Sequence, residues 1–178
     1  MKRVVGFVVF FFAVAMLSNA QNRVIPNKPY SVLKSNQGFV SINEFTAGVG
    51  LNTNSTPYSK HFFGFTSVTA YQLNSKFMTG AGVGLSFYDA GLLVPLFLDF
   101  RYSFLSRPLT PYIYADGGLN LQVSSLNDTK LFINPGAGVR YSFGRKIAAN
   151  VSVGIISQVD GINRASFLTM KAGGIYVF

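Results

Sequence analysis

Six charged residues stand inside stretches that are otherwise apolar or small: Glu44, Asp99, Arg101, Asp116, Arg140 and Lys171. A carboxylate pair, Glu44 with Asp99 or with Asp116, could divide acid and base work between its members. The same stretches supply three bases, so mutual neutralisation in an ion-paired network is the expected role. His61 is the one histidine, with Ser59 two residues before it. A hydroxyl beside an imidazole could serve as nucleophile and base in a lipid-modifying hydrolase. No neighbouring acid is evident, and Glu44 belongs deeper in its own segment. A lone His without any Cys builds no metal site. Gly80-Ala81-Gly82-Val83-Gly84 superficially suits a phosphate, but no helix pattern follows to present its amides. The expectation is a non-enzyme with no catalytic residue, no cofactor and no metal.

The elements that must position these groups follow from composition and period. The chain has 178 residues, 49% hydrophobic and only 12% charged, with 18 Gly, 18 Phe, no Cys and no Trp. That balance excludes disorder, which needs low hydrophobicity and high charge. It also excludes a disulfide scaffold. Lys2 and Arg3 precede an apolar run from Val4 to Leu17, then Ser18-Asn19-Ala20. This order reads as a secretory signal peptide, residues 1–20, cleaved after Ala20. The run is short for a spanning helix. Residues 21–38, with Pro26 and Pro29, read as an irregular lead-in.

Beyond Gly38 the period is two, the signature of strands. Phe77, Thr79, Ala81, Val83, Leu85 and Phe87 share one face, and Met78, Gly80, Gly82, Gly84, Ser86 and Tyr88 the other. The same alternation runs through 92–104 and 131–143, and more loosely through 39–51, 62–71, 111–122, 147–156 and 166–178. In 62–71 either face could be the apolar one. Residues 52–61, 123–130 and 157–165 read as longer polar loops, and 72–76, 105–110 and 144–146 as tight turns. Segments of this length suit tilted membrane strands. All six charges fall on the glycine-rich face of their segments. The opposite face is too continuously apolar for water, and in lipid a charge at mid-depth would cost about 2–4 kcal/mol. The expected fold is all-β: an eight-stranded antiparallel up-and-down transmembrane β-barrel over residues 39–178. At least ten inward positions are Gly, among them Gly82, Gly118, Gly136, Gly154 and Gly173. Their expected purpose is room for the large inward groups Phe97, Arg101, Tyr114, Arg140 and Lys171, which plug a narrow bore.

The chain stops on Lys171-Ala172-Gly173-Gly174-Ile175-Tyr176-Val177-Phe178. The polar residue, the Gly two positions on, and the aromatics at the third-last and last places look like the C-terminal signal of bacterial outer-membrane barrels. With the signal peptide and the eight alternating segments, residues 39–178 resemble the small eight-stranded outer-membrane protein A/X-like, porin-family barrels. The resemblance implies export across the periplasm with chaperone escort, then folding by the barrel-assembly machinery, which would read Lys171, Gly173, Tyr176 and Phe178. It also implies the single-domain version, since no peptidoglycan-binding domain follows. On that reading Phe77, Tyr102, Phe104, Tyr141 and Phe143, with Tyr71 and Tyr112 close by, form the periplasmic aromatic girdle.

The formal charge of +9 raises nucleic acid as a partner. Yet Arg23, Lys28, Lys34, Lys76, Arg107, Arg145 and Lys146 all fall on the expected periplasmic side without an acid, while Lys60, Asp89, Asp128, Lys130, Asp160 and Arg164 balance on the other. The expected partners are therefore outer-membrane lipids, whose anionic headgroups suit a basic rim, and the cell wall, and not nucleic acid. The expected function is structural or surface-interacting. A narrow passive pore and a lipid-modifying enzyme are the alternatives.

Overall fold

Period-two alternation, broken by turn formers, folds into eight strands: β1 (Gly38–Gly50), β2 (His61–Gln72), β3 (Phe77–Tyr88), β4 (Gly91–Ser103), β5 (Leu109–Gln122), β6 (Lys130–Ser142), β7 (Ile147–Asp160) and β8 (Asn163–Val177). The computed structural model describes residues 37–51, 60–89, 91–123, 129–160 and 163–178. The expected signal segment 1–20, and the expected lead-in as far as residue 36, lie outside the described residues. Each strand pairs antiparallel with the next, and β8 pairs back onto β1 to close a barrel. Closure leaves no open strand edge, the condition for crossing hydrocarbon with strands.

One end of the barrel, the turn end, holds the connections 73–76, 104–108 and 143–146, with Gly38 and Val177 beside them. Asn74 explains the first turn: its side-chain oxygen accepts from the backbone N–H of Lys76 and of Phe77, each at 2.9 Å. The other end, the loop end, holds the strand termini Gly50, His61, Tyr88, Gly91, Gln122, Lys130, Asp160 and Asn163. There Gly91 starts β4 at a φ of 135°, a conformation that a side chain would strain. Pro95 and Pro135 sit within strands. Neither has an N–H, and the β3–β4 and β6–β7 ladders lapse at them and resume in the same register.

In the stretch 157–165, expected as a loop, the described residues 157–160 and 163–165 are strand. Ser157 pairs with Ser166 and the ladder continues to Asp160 opposite Asn163. Polar side chains do not end a strand, because its ladder is made by the backbone. Lys130, expected in a loop, likewise opens β6 and is buried. In β2, where the faces were ambiguous, Phe62, Gly64, Thr66, Val68 and Ala70 point inward, and Phe63 and Phe65 outward.

The outer surface is apolar across every strand. Phe45, Phe63, Val83, Leu98, Ile113, Ile133, Val153 and Met170 are among its exposed residues. At the turn end, aromatic neighbours meet edge to face on this surface: Phe39 with Tyr71, Tyr102 with Phe104, Tyr141 with Phe143 and Tyr176 with Phe178, at 5.1–5.5 Å between ring centres. Tyr112 does not join this girdle, since it faces the bore and is buried. Inside, apolar groups collect toward both ends, beside buried polar ones such as Gln72 and Ser142 at the turn end and Lys130 and Gln158 at the loop end. Val40, Ala70, Met78, Ala148, Ile175 and Val177 fill the turn end, and Phe62, Ile156, Ala165 and Phe167 the loop end. Phe62 stacks on Tyr88 at 4.7 Å and meets Phe167 edge-on at 5.4 Å.

Candidate functional site

Between these apolar groups most of the inward charges gather, with buried Lys130 nearer the loop end and Arg140 nearer the turn end. Arg101 on β4 is 2% exposed. It donates from Nη1 and Nη2 to the two carboxylate oxygens of Glu44 on β1, each at 2.9 Å. It also donates to Asp99, two residues before it, from Nε at 3.0 Å and Nη2 at 2.8 Å. Arg101 thus serves two acids with one planar donor set, the geometry for which guanidinium is suited. Glu44 accepts a further hydrogen bond from the Asn150 amide, which also donates to the Tyr112 hydroxyl at 3.1 Å.

A second cluster adjoins the first. Lys171 on β8 pairs with Asp116 on β5. Its ammonium also lies 4.5 Å from the centre of the Tyr114 ring, a cation–π contact. Asn134 donates to Asp116 and accepts from Thr169, both at 3.4 Å. Asp99 and Asp116 are register partners on β4 and β5, so the two clusters share one wall.

The structure therefore brings five of the six sequence-read charges into ion pairs: Glu44, Asp99, Arg101, Asp116 and Lys171. Arg140 is inward and buried as well, but none of the ion pairs among the described residues includes it, and its Nε has no hydrogen-bond partner. Neutral members of the network, Tyr112, Asn134, Asn150 and Thr169, had an available signal in the sequence: each holds an inward-parity position on its strand.

Close approach explains several inward glycines. A methyl at Gly82 would collide with the Phe97 ring, one at Gly48 with Phe62, and ones at Gly136 and Gly154 with Tyr114. One at Gly173 would strike the Asn43 carbonyl and Glu44. Lys171 and Gly173 thus face the bore, while Tyr176 and Phe178 face outward. The bore holds a cavity of about 30 Å³, lined in part by Thr46, Thr66, Phe97, Asp116, Phe132 and Lys171. That volume has room for one or two water molecules.

At the loop end the structure departs from the expectation that His61 stands without a neighbouring acid. His61 does have an acid beside it: Asp89, its Oδ1 3.8 Å from Nε2, brought close because β2 and β3 pair Phe62 with Tyr88. Both side chains are more than half exposed, at 57% and 58%. Ser59 lies outside the described residues. Among the described residues no three His, Asp or Glu side chains gather in a way that could hold a metal ion.

No family model and no curated protein matches this sequence. Solved structures do. Neisserial surface protein A superposes with a TM-score of 0.60 at 15% identity, over 80% of this chain and 99% of that one. The outer membrane protein OprG from Pseudomonas aeruginosa gives 0.55 at 11% identity, over 84% and 99%. The outer membrane enzyme PagL gives 0.53 at 14% identity, over 74% and 97%. This chain has the fold of the eight-stranded outer-membrane barrels. The likeness is one of fold. One of the three neighbours is an enzyme, so the fold is compatible with chemistry and with its absence.

Proposed function

We propose that this chain is an integral protein of the bacterial outer membrane, with a structural or surface-interaction role and a bore plugged by its own side chains. The observation that carries the reading is the Glu44–Arg101–Asp99 cluster, buried across the middle of the bore with apolar groups at both ends. An ion would have to displace a network in which Arg101 holds both acids. The cavity beside this network, about 30 Å³, has room for one or two water molecules.

Planar-bilayer recording of the folded protein tests this. The expected trace has no large steady conductance. A steady open level would replace the plug with the narrow passive pore.

The apolar outer face and its aromatic girdle suit outer-membrane lipid as the surrounding solvent. In the same reading, residues 1–20 are removed on export and periplasmic chaperones escort the chain. The barrel-assembly machinery then recognises Lys171, Gly173, Tyr176 and Phe178 on β8. The basic residues of the turn end face anionic headgroups or the cell wall.

His61 and Asp89 favour the lipid-modifying enzyme as the competing reading. Their exposure argues for a solvated surface pair instead, since water screens such a pair. A deacylase assay on lipid A separates the two: activity in the intact protein that His61→Ala abolishes would establish the enzyme.

A further inference from the structure

The apolar outer surface carries a polar block on β1 and β2. Register sets Ser41 against Thr69 and Asn43 against Ser67. All four side chains point outward, Asn43 and Thr69 exposed, Ser41 and Ser67 half-buried. The Asn43 amide donates to the Ser41 hydroxyl at 3.2 Å. On β4, β5 and β6, by contrast, every outward residue is apolar except the girdle tyrosines Tyr102 and Tyr141. Two aromatic pairs bracket the block along its own strands. Phe39 with Tyr71, part of the girdle, lies on the turn side, and Phe45 with Phe65, 5.2 Å between ring centres, lies on the loop side. The block thus stands on the acyl-chain side of the girdle, on the outer-membrane reading that this inference rests on. Its flanks are low: Gly174 on β8 is the register partner of Asn43, and Ala81 on β3 that of Thr69.

Acyl chains offer neither donor nor acceptor, so an amide and three hydroxyls turned toward them lose the hydrogen bonds that water would give. Another protein surface can restore those bonds, and small flanking residues let its wall approach closely. An extended peptide laid there would bring its own unpaired N–H and C=O groups into hydrocarbon, whereas the wall of a closed barrel brings none. The block is also its own complement, because the amide and each hydroxyl both donate and accept. Copies of one barrel insert in one orientation, so a two-fold axis along the membrane normal sets block against block at equal depth. We infer that the β1–β2 face is a self-association surface, on which two copies of this chain pair through Ser41, Asn43, Ser67 and Thr69.

The chain has no Cys, so single replacements report one position each. Thr69→Cys in the block and Ile113→Cys, outward on β5 across the ring, are folded into phosphatidylcholine vesicles and oxidised. The expected result is a disulfide-linked dimer from Thr69→Cys, diminishing as lipid dilutes the protein, and only a collisional trace from Ile113→Cys. Energy transfer between donor- and acceptor-labelled Ser106→Cys barrels, tagged in the turn after β4, then measures the association constant. Asn43→Leu should weaken it about threefold, the worth of one hydrogen bond between membrane segments. Adding Ser41→Ala, Ser67→Ala and Thr69→Val should weaken it further, while Ile113→Ala should leave it unchanged. A water-soluble maleimide applied to the Ile113→Cys vesicles separates the two ways of failing. Rapid labelling would overturn the outer-membrane reading and the inference with it. Protection from labelling, with no more dimer from Thr69→Cys than from Ile113→Cys, would leave that reading standing and overturn self-association. Unchanged energy transfer in the fourfold variant would also overturn it. Circular dichroism verifies that each variant has folded, and Ser67→Cys replaces Thr69→Cys should the latter not fold.

Discussion

Arg101 and Glu44 face each other across the bore from β4 and β1, joined by two parallel hydrogen bonds of 2.9 Å. Fifty-seven residues separate them in sequence, and nothing local holds them together. Removing Arg101 leaves Glu44 and Asp99 buried with their largest partner gone. Arg101→Met is expected to destabilise the barrel by about 3–5 kcal/mol, the cost of breaking a buried ion pair from one side. Adding Glu44→Gln and Asp99→Asn should recover most of that loss. Urea unfolding in lipid vesicles, followed by circular dichroism, measures both.

Gly173 and Gly174 are adjacent and face opposite ways. A methyl at Gly173 meets the Asn43 carbonyl and Glu44, whereas one at Gly174 meets nothing within 4 Å. Gly173→Ala should therefore cost about 1–3 kcal/mol by overpacking. Gly174→Ala should be neutral, or stabilising by less than about 1 kcal/mol through the unfolded chain. The same vesicle unfolding assay compares them without any assembly machinery, so an equal effect of the two would show that the bore wall has slack.

Leu98 lies mid-strand on the outward face of β4 and is 56% exposed. Lipid is its proposed surroundings. Leu98→Arg should cost about 2–4 kcal/mol in bilayers, as a charge at mid-depth does. A cost well below that range would place Leu98 in a wet environment.

Arg140 makes its own prediction. In phosphate-free buffer, Arg140→Met should raise stability by on the order of 1 kcal/mol, because it removes a buried cation with no counter-ion and keeps the packing.

The period-two pattern made most of the barrel legible, since strand faces follow directly from side-chain alternation. It failed where both faces are apolar. In β2, Phe62 and Val68 fill the bore while Phe63 and Phe65 cover the outside, so hydropathy gave no face. It failed again at 157–165, where polar side chains concealed a ladder made by backbone groups. The charges were legible as inward, but their partners were not. The choice of Arg101 over Arg140 for Glu44 depends on reach across a closed ring, and the approach of Asp89 to His61 depends on hairpin register.

The ionic cluster draws on the first strand, the fourth and the seventh: Glu44, Arg101 and Asn150. No hairpin holds all three. The β8–β1 seam is what keeps Asn150 and Arg101 on the same carboxylate: if it parts, Glu44 stays with the strands that lead to Arg101 while Asn150 leaves with β8. The ion cluster thus ties the closing seam of the ring to a strand three places away, and opening the ring would put a buried charge back into water.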